Sequence, residues 1–496
     1  TDALGNNTYN FNKNTSDSEV TSLGMYVDTS GVNYTNPITG LHYLTGLRDI
    51  NLIFGTEAAD YTNAKAIQLG NDILGSYNNE LYGVSTTGTT INVNSSSLTW
   101  LAQPVKSSTA GKVLDTVYLV KVPYTDFAST KDRDTSNFLD GLEQRYDANA
   151  INSREKQVFN KLNSIGNNES ELLAQSFDEM MGHQYANVQQ RIKSTGDLLS
   201  YEFDHIKDSW ETVSKDSNKI KVFGNAGEYK SNTAGIIDTT NKAYGVAYLH
   251  EKEGLRLGES AGWYAGVVNN KFDFKDLGGS KENTTLVKAG VYKSIPFDEN
   301  NSLNWTISGD IFAARSEMDR KYLVVDEVFG AKSDYNSYGI ALKNEIGKSF
   351  RLGENISLRP YGALKLEYGR TDDIKEDSGE IRLEVDGNNY YSIKPEVGMQ
   401  LNYKQNLGSK AKLNFGLGVA YENELGEVGN VGNKARVRYT TADYFDIRGE
   451  KDNRKGNIKA DANLGITTGR FGLTTNIGYD TNGRNLRGGL GFRMIY

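Results

Sequence analysis

Cysteine is absent from this 496-residue chain, and proline is scarce, with 6 residues. The lack of cysteine excludes a disulfide framework and any cysteine-based metal or redox site. It also suits a chain that crosses an oxidising compartment unfolded, where a premature disulfide would form a knot. No run of about 18 apolar residues occurs, which excludes a transmembrane helix. There is no basic block either. The net charge is -8 with acids and bases interspersed, so nucleic acid is not an expected partner. The opening residues TDALGNNTYN lack a basic n-region and an apolar h-region, so no signal peptide is expected there. Only 37% of residues are hydrophobic and mean hydropathy is -0.56, as in a soluble protein. A β-barrel would still be compatible, because it spans lipid with alternating strands that hardly register in hydropathy.

What the chain does have is glycine (52) and tyrosine (30), with much Asn, Ser and Thr in its first part. That mixture favours β-structure with polar turns. Three regions are expected. Residues 1–125 read as short β segments between polar turns, such as INLIFG (Ile50–Gly55), TTINVN (Thr89–Asn94) and DTVYLVKV (Asp115–Val122). A β-solenoid or β-sandwich fits, though no clean repeat period is present. Residues 126–212 are charged and helical in texture. Leu173, Phe177, Met180, Met181, Tyr185, Val188 and Ile192 follow spacings of three and four, continued by Leu199, Phe203, Ile206 and Trp210. Gly196 is the expected break or kink. The apolar stripe is expected to pack on a helix over 135–166 or on the base of the β domain.

Residues 213–496 alternate to the end. YSIKPEVGMQLNY sets Tyr391, Ile393, Val397, Met399, Leu401 and Tyr403 against Ser392, Lys394, Glu396 and Gln400, and KLNFGLGVAYE and NIKADANLGIT repeat the pattern. A soluble sandwich also alternates. Strand and connection lengths discriminate better. Strands of about 11–16 residues exceed the soluble mode of about 5–6 and match what a tilted membrane strand needs. The tight turns KEGLR, FDENNS, FRLGEN, QNLGSK and TTGR alternate with longer polar stretches near 231–240, 271–283, 317–333, 371–388 and 424–455. Short turns on one side and long loops on the other predict an outer-membrane barrel. The count is twelve strands, with 434–450 placed in the last long loop as a strand extension outside the membrane. Tyr368, Tyr391, Tyr403, Tyr421 and Tyr479 suit an interfacial girdle.

Motifs for catalysis are thin. The four histidines, His42, His183, His205 and His250, have no metal-ligand spacing. TGDLLSYE (Thr195–Glu202) looks like a GDSL box but carries Leu199 at the nucleophile position. No GxSxG and no GxxxxGK[ST] occurs. Asn167 or Asn168 is expected to cap the helix that follows.

From about 168 to the end, the chain resembles the classical monomeric autotransporters of type V secretion. The resemblance rests on a helical linker before alternating strands, on LRPYGALKLEYG (Leu358–Gly369), and on the final FGLTTNIGYDTNGRNLRGGLGFRMIY. The ending is similar to the outer-membrane assembly signal, with Gly491, Met494 and Tyr496 in its positions and Gly489 where a polar residue is more usual. Leu490, Phe492, Met494 and Tyr496 would face lipid. Residues 20–125 look like the membrane-proximal end of an adhesin-type passenger. The resemblance implies an all-β-dominated fold: a 12-stranded antiparallel transmembrane barrel, a pore helix, a helical linker and a β-solenoid-like passenger end. It implies insertion by the barrel assembly machinery and a monomer in outer-membrane lipid. It also implies a passenger displayed to a host or bacterial surface ligand. No cofactor and no catalysis are expected. Self-cleavage between paired asparagines, known in some relatives, is not expected at Asn167–Asn168. The pore helix, Gln189–Asp208, would carry Arg191, Lys193, Asp197, Glu202, Asp204 and Lys207. It would face a polar inner wall of Lys343, Glu345, Arg359, Lys365, Glu367, Lys394, Glu396, Lys459 and Asp461. The alternatives are an outer-membrane barrel enzyme, protease or lipase, and a passive porin-like channel.

Overall fold

The computed structural model describes residues 10–12, 19–31, 37–209, 216–254, 258–300, 302–452 and 456–496. The opening stretch 1–9, Trp210 and part of the turn 252–256 lie outside the described residues. Near the amino terminus, β1 (Ser22–Val27), β2 (Asp49–Phe54) and β4 (Thr90–Ser95) pair in parallel and in register, one solenoid-like layer. Strands β3 (Ala66–Leu69), β5 (Trp100–Lys106) and β6 (Leu114–Lys121) form an antiparallel sheet beside it. The first region is not wholly β. Helix α1 (Asn71–Ser85) buries Ile73, Leu74, Tyr77, Leu81 and Val84 along one face. Its many Asn and Gly residues, poor helix formers, disguised it. Asn78 is structural: its amide donates to Leu114 O (2.8 Å) and its carbonyl oxygen accepts from Leu114 N (2.9 Å).

The linker holds α2 (Arg133–Ala148), α3 (Arg154–Asn163), α4 (Ser170–Met180) and α5 (Val188–Asp208). Asp132 and Ser153 cap α2 and α3 by accepting from Thr135 N and Lys156 N. Two expectations need correction. Gly196 does not break α5, which continues from Val188 to Asp208 through it. The break falls at Gly182, whose φ of 80° is left-handed and ends α4 as glycine does. Neither Asn167 nor Asn168 caps α4. Glu169 stands at that position, and the Asn167 amide donates to Ser95 O instead. None of the described helices is long and apolar enough to cross a membrane.

Twelve antiparallel strands then close a barrel: β7 (Ser217–Tyr229), β8 (Thr239–Glu253), β9 (Ser260–Phe274), β10 (Lys281–Pro296), β11 (Leu303–Val324), β12 (Glu327–Lys348), β13 (Ile356–Thr371), β14 (Asn388–Leu407), β15 (Ala411–Asn423), β16 (Gly456–Thr468), β17 (Phe471–Asp480) and β18 (Asn485–Ile495). Each pairs with its sequence neighbour, and β18 pairs with β7, Leu490 opposite Val222. Outward residues such as Val222, Val267, Val291, Ile340, Val397, Leu473 and Leu490 are exposed apolar side chains, the belt a lipid-facing barrel requires. Glycines on the wall make room for aromatic side chains from the next strand: a Cβ at Gly290 would meet Tyr264 Cζ at 2.5 Å.

The outer end, where the long connections lie, differs from expectation in two ways. Residues 317–333 are not a loop. Strands β11 and β12, each 22 residues, continue beyond the rest of the barrel and meet at a two-residue turn, Val325–Asp326. Met318, Tyr322, Val324 and Phe329 are buried there, and that burial keeps the hairpin ordered. Segment 434–450 is not an extension of a barrel strand. Asn433–Val437 and Phe445–Ile447 pair with each other and, through Leu383–Val385, with Ile374–Lys375, a separate four-stranded lid sheet.

One hydrophobic core joins β1–β6, α1–α4, the β11–β12 hairpin and the lid sheet. The stripe Leu173, Phe177, Met180 and Tyr185 is buried in it, with Phe177 edge-on to Tyr124 at 5.8 Å. Helix α2 lies on the lid: Phe138 meets Phe445 edge-on (5.7 Å), Asn137 donates to Tyr444 O (2.8 Å), and Gly141 lies against Val437.

Candidate functional site: the barrel lumen

Helix α5 has 21 residues, and at 1.5 Å per residue it spans about 30 Å, the thickness of a bilayer core. It enters at the outer end, where Asn433 donates to Tyr185 O (2.8 Å), and finishes near the inner end, where Lys219 approaches Lys207 O (3.5 Å). Its sequence has two faces. Ile192, Leu199, Phe203 and Ile206 pack against Ala247, Leu249, Tyr264, Val268 and Leu286 of β8–β10 in a small lumen core. The Phe203 and Tyr264 rings lie 4.4 Å apart. Lys193, Asp197, Tyr201, Asp204 and Asp208, four or three residues apart, meet the rest of the wall.

Lys343 donates to Asp204 (2.8 Å), Lys394 to Asp197 (2.7 Å), and Lys193 lies 3.3 Å from Glu367. Arg191 forms a bidentate pair with Glu282 (2.8 and 3.2 Å), and Glu202 pairs with Lys221. Lys193 also pairs with Asp197 along the helix. Several wall residues pair among themselves instead. Arg359 holds Glu345 (2.8 Å), which also meets Lys343 (3.0 Å). Glu396 bridges Lys365 and Lys459, both at 2.9 Å. Lys207 pairs with its own neighbour Asp208 (3.7 Å). Asp461 lines the space between helix and wall beside Asp208 and Arg487.

Sequence reasoning missed Glu282, Lys221, Lys288, Glu422, Arg487 and Tyr201. Lys288 donates to the Gly196 carbonyl (3.1 Å) and to Ser200 (2.8 Å), and Tyr201 donates to Glu422 (2.8 Å). The wall residues among them sit at inward positions of the same alternation, so extending it through β7, β10, β15 and β18 would have found them. Tyr201 carried no such signal, since an aromatic on a helix reads first as core.

The inner-end terminus is a seam. Gly491 lies opposite Lys221 and Thr474, Met494 is half-buried, and Tyr496 is 65% exposed with its amide donating to Asp216 O (3.1 Å). Leu490 and Phe492 point outward, while Arg493 is buried on the inner face. The histidines are dispersed: His183 lies on Asp178 (2.8 Å) at the outer end, His250 on Asn218 (2.9 Å) at the inner end, and His205 inside the lumen.

A family model described as the autotransporter beta-domain matches residues 219–478. Among solved structures, the chain is similar to the translocator domain of autotransporter NalP from Neisseria meningitidis (12% identity, TM-score 0.49, 62% of this chain and 98% of that one). It is also similar to the beta domain of the Bordetella autotransporter Brka (14%, 0.40, 57% and 100%). A third is the transport unit of autotransporter AIDA-I from Escherichia coli (12%, 0.39, 61% and 98%). No curated protein matches the chain.

Proposed function

This chain belongs to the autotransporter family, whose beta-domain model matches just over half of it, and from that premise we propose that its passenger is a non-enzymatic adhesin that stays fixed to its own barrel. The barrel is a translocator domain of the bacterial outer membrane, with the passenger on the cell surface. The finer reading divides the chain into a passenger end (1–125), a linker with the pore helix (126–212) and the barrel (213–496). In it the molecule works as a monomer, the barrel assembly machinery reads Gly491, Met494 and Tyr496, and the passenger meets a host or bacterial surface ligand.

One observation supports attachment: the core that runs unbroken from β2 through α2–α4 into the β11–β12 hairpin and the lid. A surface binder must transmit force to its anchor. A packed base with buried aromatic contacts does this better than a flexible tether. The test is display of the full chain on a non-adherent outer-membrane host. Binding to host or bacterial cells is expected, and it should vanish when surface protease removes residues up to about 165 and leaves a protected C-terminal fragment. Release of the passenger as a soluble hydrolase, or protection of the N-terminal region in intact cells, would overturn the proposal.

A further inference from the structure

From the inner end outward, the lipid-side residues of β8 run Val246, Tyr244, Lys242, and those of β9 run Val267, Asn269, Lys271. Each strand passes from an apolar side chain through a polar or amphipathic one to an exposed lysine. Tyr244, 59% exposed, marks the boundary, as aromatic residues do at a membrane interface.

The two lysines are direct partners in the antiparallel ladder, Lys242 opposite Lys271. Ala226 and Asn283 flank them on β7 and β10, so the adjacent positions offer no balancing charge. Like charges directly opposite each other destabilise a sheet. The acids one step farther out, Glu228 and Asp273, both stand opposite Thr240 and are engaged elsewhere. Glu228 is shared by Lys230 (3.4 Å), Lys275 (3.5 Å) and Arg484 (3.0 Å), and Asp273 faces Lys281 (3.9 Å). Among the described residues, neither Lys242 nor Lys271 has an ion-pair partner. The neighbouring hairpin is built otherwise, for there Arg315 sits on Asp334 (2.8 Å). Positive charge is thus left uncompensated where the apolar belt ends.

We propose that Lys242 and Lys271 together hold one phosphomonoester of an acylated, phosphorylated sugar lipid in the outer leaflet. The chemistry of the pair selects this ligand. A phosphomonoester carries a charge of about −1.5 to −2 and three acceptor oxygens, enough for two amines at once. A phosphodiester headgroup carries a single charge. The acyl chains continue the interface the barrel already makes with lipid. Val222, Val246, Val267 and Val287 follow one another across the ladder, each exposed, on the same strands as the lysines or beside them. One amphiphile therefore meets charge at its head and the apolar belt along its chains.

The test is native mass spectrometry of the purified full chain in detergent, titrated with lipid A, a bisphosphorylated and acylated glucosamine disaccharide. The comparison ligands are the same lipid with both phosphates removed, phosphatidylglycerol, and inorganic phosphate in excess. Lipid A should bind roughly tenfold or more tightly than the other two lipids, and inorganic phosphate should not displace it. Lys242→Gln with Lys271→Gln should weaken its binding roughly tenfold or more, since each basic residue near an anionic lipid surface contributes about fivefold. Lys242→Arg with Lys271→Arg should retain it. Lys252→Gln with Lys293→Gln removes two exposed charges at the inner ends of β8 and β10 and should leave binding unchanged. On the wild-type chain, bound lipid A should shield Lys242 and Lys271 from an amine-acylating reagent, a readout that needs no variant. Equal affinity for the dephosphorylated lipid or for phosphatidylglycerol, displacement by inorganic phosphate, undiminished binding in the double Gln variant, an equal loss in the inner-end variant, or unshielded lysines would each overturn the proposal.

Discussion

Arg320 is the strongest place to test how the outer cap is held. It is fully buried, as is its partner Glu376. Its guanidinium donates to both Glu376 oxygens (2.5 and 2.9 Å), to the Met180 carbonyl that ends α4 (3.2 Å) and to Ile381 O (2.9 Å). Glu376 in turn accepts from the Tyr185 hydroxyl (2.9 Å) and Leu383 N (2.6 Å). One side chain therefore ties β11, the linker helices and the lid. Arg320→Ala leaves Glu376 buried without its cation, a change that typically costs about 3–5 kcal/mol. Opening of the cap should then rise by roughly a hundredfold to a thousandfold or more, read as hydrogen exchange in α4 and the lid sheet. The barrel itself should keep its heat-modifiable gel mobility, because the pair sits above the closed wall. Arg320→Met with Glu376→Leu should recover most of the loss, since removing both charges removes the unpaired one. Unchanged exchange in Arg320→Ala, or a double variant worse than the single one, would refute this account of the cap.

Other expectations are as specific. Burial pushes the Lys121 amine down to about 8 against the opposing pull of Glu143. Between about 8 and the ordinary lysine value the unfolded chain then binds more protons than the folded one, so stability of the β5–β6 region should rise with pH across that window. Urea midpoints should show this rise and lose it in Lys121→Met, where Glu143 retains Lys65 (2.8 Å). A side chain at Gly141 would place its Cβ 2.6 Å from Val437 Cβ. Gly141→Leu should therefore cost about 1–3 kcal/mol of overpacking and expose α2 to surface protease without loss of the barrel. Tyr496→Ala, or a short polar extension after it, should reduce barrel insertion; unchanged surface display of both would dismiss the terminal strand as an assembly signal.

Much of the barrel was legible because its signals are periodic. An inward charge every second residue, as at Lys343 and Glu345 or Lys394 and Glu396, is visible in the letters. So is a turn rhythm that alternates short and long. The outer cap was less legible. Residues 317–333 look polar in sequence, yet Met318, Tyr322 and Phe329 are buried because helices descend onto them. Residues 434–450 looked like one extended piece, but they fold back at Tyr439, whose φ is 63°. Gly196 suggested a break by propensity alone, which a packed and hydrogen-bonded lumen overrides. At Gly182 the helix does end, where the chain must turn from the cap into the pore.

By itself, the sequence determined the closed β-wall and its hand of faces, for alternation and lipid leave a strand only one side to show. It also determined that an amphipathic helix with charges of both signs would need a polar host. Only the tertiary structure decided how that helix sits: against β8–β10 through Phe203 and Tyr264, and tied to the far wall through Asp204–Lys343, Asp197–Lys394 and Tyr201–Glu422. That choice depends on which inward residues are small, which are aromatic and which are charged on strands far apart in the chain. Such a sum of contacts has no period for a sequence to display.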